Sequence, residues 1–243
     1  MPASILITRP APSAERFAKV LQDALGPACN IVFSPLMQIK NCNLDLSDLS
    51  AATIIFTSRH AVEAFSRLDA RRNAVCYTVG PATKAAAQEA GFDPVAADGT
   101  GEALTRKILS DGPPEPCLYV RGNHVAYDIQ DELVSAGLET HMRIVYRQIE
   151  CPLSLKAKRL LCGKDPVIVP LFSPRSAELF LQAGPFEAPV HAVAISSKVA
   201  DRLGKGNLKT VVTAIRPDQD AMVKSVSDLW TRVNRLETPG GAQ

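Results

Sequence analysis

"IIFTSRHAVEAF" (54–65) is a continuous apolar run, then two small hydroxyl residues, then a helical spacing of apolar positions. Such a stretch reads as a buried strand entering a helix through the turn Thr57-Ser58. A second stretch, "VPLFSPRSAELF" (169–180), has the same shape, with Ser173 in the place of Ser58. Two such turns imply a duplicated architecture. They also raise the question of what the hydroxyls at the mouth of each turn engage.

Outward from these turns, strands and helices alternate. "SILIT" (4–8) reads as a strand, and 13–25 as a helix with Phe17, Val20, Leu21 and Leu25 on one face and Gly26-Pro27 as its stop. "NIVFSPLMQIK" is extended. "ATIIFT", "AVCYTV", "FDPVAA" and "CLYVRG" read as strands, followed by helices over 60–68, in "GPATKAAAQEAG", in "GEALTRKIL" and over 126–136. "LETHMRIVYRQIE" is a long extended segment. The order then restarts. "DPVIVPLF", "VHAVAI" and "LKTVVTAI" are strands, with helices over 175–182, over 198–203 and in "DQDAMVKSVSDLWTRV". The tail "ETPGGAQ" is expected to be disordered. This alternation predicts an α/β fold with parallel sheets covered on both faces.

The second run follows the first at a spacing of 115–118 residues, pairing Ser58 with Ser173, Gly80 with Ser196 and Leu104 with Met222. The C-terminal run is one strand short, and "SILIT" is available to supply it. The expected organisation is therefore two three-layer domains. One is discontinuous, 1–34 plus 166–243; the other, 50–147, is inserted into it. The crossings 35–49 and 148–165 form a two-stranded extended linker, which would let the domains hinge.

At 243 residues the chain is long enough for a substantial core, and its net charge of +2 carries no polyanion-binding bias, so nucleic acid is not an expected partner. No apolar stretch has the length of a membrane span, and the N-terminus reads as a first strand rather than a signal peptide. Cys29, Cys42, Cys76, Cys117, Cys151 and Cys162 are scattered without a Cys-x-x-Cys pair, which fits reduced cysteines in a cytoplasmic protein. His60, His124, His141 and His191 lack metal-ligand spacing. There is no phosphate-loop motif, "GTGEAL" lacks the third glycine of a dinucleotide fingerprint, and no nucleophile elbow occurs. The expectation is a protein without metal or cofactor.

Ligands of parallel sheets bind outside the carboxyl ends of the strands, where helix N-termini offer free N–H groups and partial positive charge. Here those turns carry Thr57-Ser58, Gly80-Pro81, Gly99-Thr100, Gly122-Asn123, Ser173-Pro174 and Ser196-Ser197. Together they suit a sizeable anionic ligand held without many basic side chains. Singly, Ser58 and Ser173 are also what plain N-caps look like.

The motifs "ILITRP", "FTSRHAVEAF", "YTVGPATKAAAQEAGF", "LYVRGN", "VYR", "LFSPRSAELF" and "AISSKVADRL", in this order, resemble the uroporphyrinogen-III synthase family over nearly the whole chain. The resemblance implies two α/β domains on a two-stranded linker. It implies a cofactor-free cytoplasmic enzyme that closes the linear tetrapyrrole hydroxymethylbilane, inverts its ring D and releases water. Hydroxymethylbilane synthase is then a candidate partner, a monomer is expected, and neither nucleic acid nor membrane is involved. On the same resemblance Tyr146 is the candidate acid, and Arg9, Thr57, Ser58, Gly80, Arg121, Gly122, Asn123, Ser173, Ser196 and Ser197 line the substrate site. The chain departs from the family pattern at Val125-Ala126, at Asp218 and at Arg59. Those departures leave open a non-catalytic two-domain binding or regulatory module for an anionic small molecule.

Overall fold

A computed structural model describes residues 2–27, 29–125, 127–204 and 206–237. The tail expected to be disordered lies outside them from residue 238 onward, as does Ala126. The chain divides into two compact units, Met1–Gln38 with Glu150–Gln243, and Ile39–Ile149. The first begins with β1 (Ser4–Ile7), α1 (Ser13–Leu25) and β2 (Ile31–Phe33), and β3 (Met37–Asn41) leads into the second. There follow β4 (Thr53–Phe56), α2 (Arg59–Leu68), β5 (Val75–Thr78), α3 (Pro81–Glu89), β6 (Pro94–Ala96), α4 (Gly101–Asp111), β7 (Cys117–Gly122), α5 (Ile129–Ser135) and β8 (Thr140–Glu150). The chain then completes the first unit with α6 (Leu155–Leu161), β9 (Val167–Leu171), α7 (Pro174–Gln182), β10 (Val190–Ala194), α8 (Ser197–Leu203), β11 (Thr210–Thr213) and α9 (Gln219–Glu237).

Among the described residues the first unit holds a five-stranded sheet ordered β11-β10-β9-β1-β2, and the second a six-stranded sheet ordered β3-β8-β7-β4-β5-β6. From β11 to β2 in one sheet, and from β8 to β6 in the other, neighbours are parallel. Helices cover both faces of such a sheet, so its inner strands can be buried at every position. β1, β4 and β9 are, which is why "SILI", "TIIF" and "VIVPL" show no in-out alternation. In the second unit Ile54, Phe56, Leu118 and Val120 point to the face covered by α2 and α3. Ile55, Tyr77 and Tyr119 point to the opposite face, where Leu104, Ile108, Ile129 and Leu133 of α4 and α5 pack.

The sequence repeat reappears in the strand orders. β4, β5 and β6 hold in one sheet the places that β9, β10 and β11 hold in the other, and β7-β8 correspond to β1-β2. The five-stranded sheet is therefore assembled from both ends of the chain.

Two stretches depart from their expected extents. The crossing expected to be extended over 148–165 is helical at Leu155–Leu161. Ser154 caps this helix by accepting from the Ala157 N–H at 3.2 Å, and Ala157 and Leu161 bury into the core with Val32 and Val167. Two apolar anchors among Lys156, Lys158 and Arg159 are too few to show a helical period in the sequence. The helix expected over 126–136 starts only after Asp128, whose carboxylate accepts from the Gln130 N–H.

The β3–β4 loop is pinned by one side chain. Arg71 donates to the carbonyls of Leu46 and Leu49 and to the carboxylate of Asp69. The Arg71 guanidinium in turn holds the Asp69 carboxyl below its ordinary range. Asp69→Asn is expected to lower the unfolding free energy at pH 7 by about 1–2 kcal/mol, as read by urea denaturation. An unfolded Asp titrates near 3.9 and the folded one lower, so this stabilisation is complete above about pH 4 and fades as the pH falls through the folded value. The gap between wild type and variant should therefore close in acid.

Candidate functional site

Parallel strands deliver their carboxyl ends to one edge. In the second unit that edge collects Thr57 and Ser58 after β4, Gly80 after β5, Gly99 and Thr100 after β6, and Arg121, Gly122 and Asn123 where β7 ends. In the first unit the corresponding edge collects Arg9 after β1, Ser173 after β9, and Ser196 and Ser197 after β10. The sequence-predicted residues thus fall on one edge within each unit.

Ser58 and Ser173 are both helix N-caps. Ser58 Oγ accepts from the Ala61 N–H at 3.1 Å, and Ser173 Oγ from the Ser176 N–H at 3.1 Å. Ser173 makes its other contact within its own turn, its Oγ donating to Ser176 Oγ at 3.0 Å. Its own N–H donates to Ser176 Oγ at 3.1 Å, closing a reciprocal capping box. Ser58 differs, because its hydroxyl also meets the Tyr146 hydroxyl at 3.0 Å. Its neighbour Thr57 meets a second phenol, the Tyr119 hydroxyl, at 3.3 Å. Neither tyrosine contact can be read from sequence spacing, and Tyr119 was not among the predicted site residues.

Tyr146 is aimed by a β-bulge. The β7–β8 register pairs Arg121 with Ile144 but Gly122 with Tyr146, so β8 carries an extra residue there. Val145 and Tyr146, though consecutive, consequently both pack into the same core cluster. Gly122 makes room for the ring: a Cβ on it would lie 2.4 Å from Tyr146 Cζ and 2.7 Å from its hydroxyl oxygen. Asn123 closes the arrangement. Its N–H donates to the Tyr146 carbonyl at 3.2 Å, and its side-chain oxygen accepts from the Gln148 N–H at 2.8 Å. The Asn123 side chain is thus engaged in holding β8. His60, in the first turn of α2, packs edge-on to the Tyr146 ring with centroids 5.8 Å apart and lies 3.5 Å from Glu63. It too was missed as a neighbour of the site. The only sequence signal was its place two residues after the Ser58 cap.

The remaining groups at these edges suit anions. Arg121 Nε is buried with no hydrogen-bond partner among the described residues. Burial pushes the Tyr119 phenol up from its ordinary pKa, against the opposing effects of the Thr57 hydrogen bond and of the Arg121 charge. Arg9 lies over the Phe172 ring, 3.9 Å from its centroid. The N-termini of α3 and α8, at Gly80 and Ser196, have no side-chain cap. Ser197 opens α8 and is exposed. Gly80 also fits tightly against the next turn, since a Cβ on it would meet Gly99 Cα at 3.0 Å.

Asp218, a departure from the family pattern, is the N-terminal cap of α9. It accepts from the Ala221 N–H at 2.8 Å and from Arg216 Nε at 2.9 Å, and these bonds hold its carboxyl below the ordinary range. In the repeat register it corresponds to Thr100, which caps α4 by accepting from the Ala103 N–H. Its charge is therefore met within its own turn. Among the described residues no group of three or more His, Cys, Asp or Glu is placed to hold a metal, and no helix is long and apolar enough to cross a membrane. A concavity of about 430 Å³ in the second unit opens at the opposite, amino edge, between Ala52, Val75 and Pro114. Its cation, Arg71, is already committed to Asp69.

A family model described as uroporphyrinogen-III synthase HemD matches residues 17–224. No curated protein matches the chain. Among solved structures, the chain is similar to uroporphyrinogen-III synthetase from Helicobacter pylori, at 18% identity over 93% of this chain and 99% of that one, with a TM-score of 0.69. It is also similar to a mutant uroporphyrinogen III synthase from the extremely thermophilic bacterium Thermus thermophilus, at 16% identity over 97% and 100% of the two chains, with a TM-score of 0.59. At such identities the structural likeness speaks for the fold, which is the two-unit α/β architecture described above.

The Gly122–Tyr146 contact yields a direct test. Gly122→Ala places a methyl group inside the ring's space. It is expected to destabilise the protein by about 1–3 kcal/mol and to alter the tyrosine near-UV circular dichroism. An unchanged melting temperature and spectrum would show that Tyr146 does not lie on Gly122.

Proposed function

The chain belongs to the uroporphyrinogen-III synthase family, and on that premise we propose that it converts hydroxymethylbilane to uroporphyrinogen III, closing the ring with inversion of ring D and loss of water. The family match over residues 17–224 carries this reading. The polar carboxyl edges support it, because a substrate bearing eight carboxylates needs many anion-accepting groups on a protein of net charge only +2. The reading carries with it a monomeric cytoplasmic enzyme that takes its substrate from hydroxymethylbilane synthase.

In this proposal Tyr146 is the acid. Its O–H protonates the departing hydroxyl, which leaves as water, and the electron pair of the neighbouring pyrrole nitrogen fills in to give the azafulvene cation. Attack by the substituted carbon of ring D gives the spiro intermediate, which fragments and recloses. The final loss of a ring proton restores the balance, so that the net change is one water lost. Ser58 is placed to donate to the phenolate oxygen that forms, which stabilises it in a partly buried site. In the second unit Arg121 and the uncapped start of α3, and in the first unit Arg9 and the uncapped start of α8, are the groups offered to carboxylates. Gly122 and Asn123 keep Tyr146 in place. Most of the rate advantage then lies in holding ring D in the inverted presentation, a positioning task.

Purified protein added to fresh hydroxymethylbilane should divert the product from the type I isomer, formed spontaneously, to type III, as resolved by chromatography of the oxidised porphyrins. Type I alone would end the enzyme reading. Tyr146→Phe keeps the ring on Gly122 and removes the donor. It should lower kcat at least about tenfold with KM little changed, the pattern of an interaction made mainly in the transition state. Wild-type kcat in a folded Phe variant would remove Tyr146 from the acid role.

A further inference from the structure

The Thr57-Ser58 turn is gripped from both faces of its sheet. Along β4 the side chains alternate, with Ile54 and Phe56 on one face and Ile55 on the other. Continuing that alternation, Thr57 meets Tyr119 on the Ile55 face and Ser58 meets Tyr146 on the Phe56 face. Tyr146 is assigned a task by the reading above. Tyr119 is not, although it is a fully buried phenol in an apolar cluster.

We propose that Tyr119 is a positioning residue for the substrate. Its hydroxyl donates to Thr57 Oγ1, which turns the Thr57 O–H outward at the sheet edge to donate to a carboxylate of the bilane. The direction follows from hydrogen-bond accounting. Thr57 is the hydrogen-bond partner of Tyr119 Oη, and no second one is present among the described residues. If Thr57 donated inward, the phenolic proton would be a buried donor without an acceptor. If Tyr119 donates, the phenolic proton is satisfied, and the half-buried Thr57 is left with its own proton to give. A phenol is also the better donor of the two, and a hydroxyl that accepts such a bond becomes a stronger donor itself. Arg121 stands two residues after Tyr119 on the same strand, hence on the same face, with its Nε unpartnered among the described residues. An anion on that face therefore meets both the Thr57 hydroxyl and the Arg121 guanidinium.

The inference rests on the synthase reading and is tested beside it, by steady-state kinetics with hydroxymethylbilane on wild type, Tyr119→Phe, Thr57→Val and the double variant. Loss of one such hydrogen bond is worth about fivefold in binding. KM should rise about fivefold in each single variant with kcat within about twofold, and the double variant should be no worse than Thr57→Val alone. A purely structural Tyr119 would lower the melting temperature of Tyr119→Phe and leave KM at the wild-type value, which would overturn the proposal. So would KM increases that multiply in the double variant. Should Tyr119→Phe fail to fold, tyrosine carrying a ¹³Cζ label reports on the intact chain. The resonance moved by Thr57→Val should also move when the product uroporphyrinogen III is added to wild type, and its staying fixed would overturn the proposal. Type I product from wild type would sink the synthase reading and this inference together. Type III product with unchanged KM in Tyr119→Phe sinks the inference alone.

Discussion

The contact on which the site depends is the Tyr146 ring lying on Gly122 with its hydroxyl on Ser58. It joins three strands at once. β7 ends in the glycine, β8 carries the tyrosine, and the turn after β4 supplies the serine that caps α2. The bulge at Arg121/Gly122 makes this possible by bringing Tyr146, rather than Val145, opposite the glycine. Asn123 then fastens β8 at Tyr146 and two residues beyond it. A site on strand ends held in this way inherits the rigidity of the sheet, which suits a reaction whose difficulty lies in presenting one face of ring D.

Electrostatics at these edges works through partial charges and few fixed ones. Thr57 and Ser58 face two phenols, Ser173 is closed in its capping box, and Asp218 is neutralised by its own turn and Arg216. In the proposed function the anion-directed groups are, in the second unit, the uncapped helix start at Gly80 and Arg121, and in the first, the uncapped helix start at Ser196 and Arg9. A protein built this way can address many carboxylates while its net charge stays near neutral.

Much of the fold was legible because parallel sheets write themselves plainly. "TIIF" and "VIVPL" are unbroken apolar runs, Ser58 and Ser173 stand where caps belong, and the 115–118-residue spacing sets homologous strands in matching sheet positions. Helix α6 was not legible, because its buried face is only Ala157 and Leu161 between exposed cations. The candidate site could be drawn from the sequence only as a list of turn residues, not as a set of contacts. That Ser58 caps a helix follows from its neighbours in sequence; that it touches Tyr146 depends on strand order and on one extra residue in β8. Tyr119 was hidden for another reason. An aromatic in the middle of "CLYVRG" reads as core, and only the alternation of β4 across the sheet shows that its hydroxyl ends at Thr57.

The central claim is that the Ser58 and Tyr146 hydroxyls act as one unit in the chemical step. The most direct test is the coupling between them in kcat, from Ser58→Ala, Tyr146→Phe and both together, measured where all are fully folded. If Ser58 works by stabilising the oxygen that Tyr146 leaves behind, removing it after the tyrosine hydroxyl is gone costs nothing further, and the double variant matches Tyr146→Phe. Independent losses that multiply in the double variant would contradict the account.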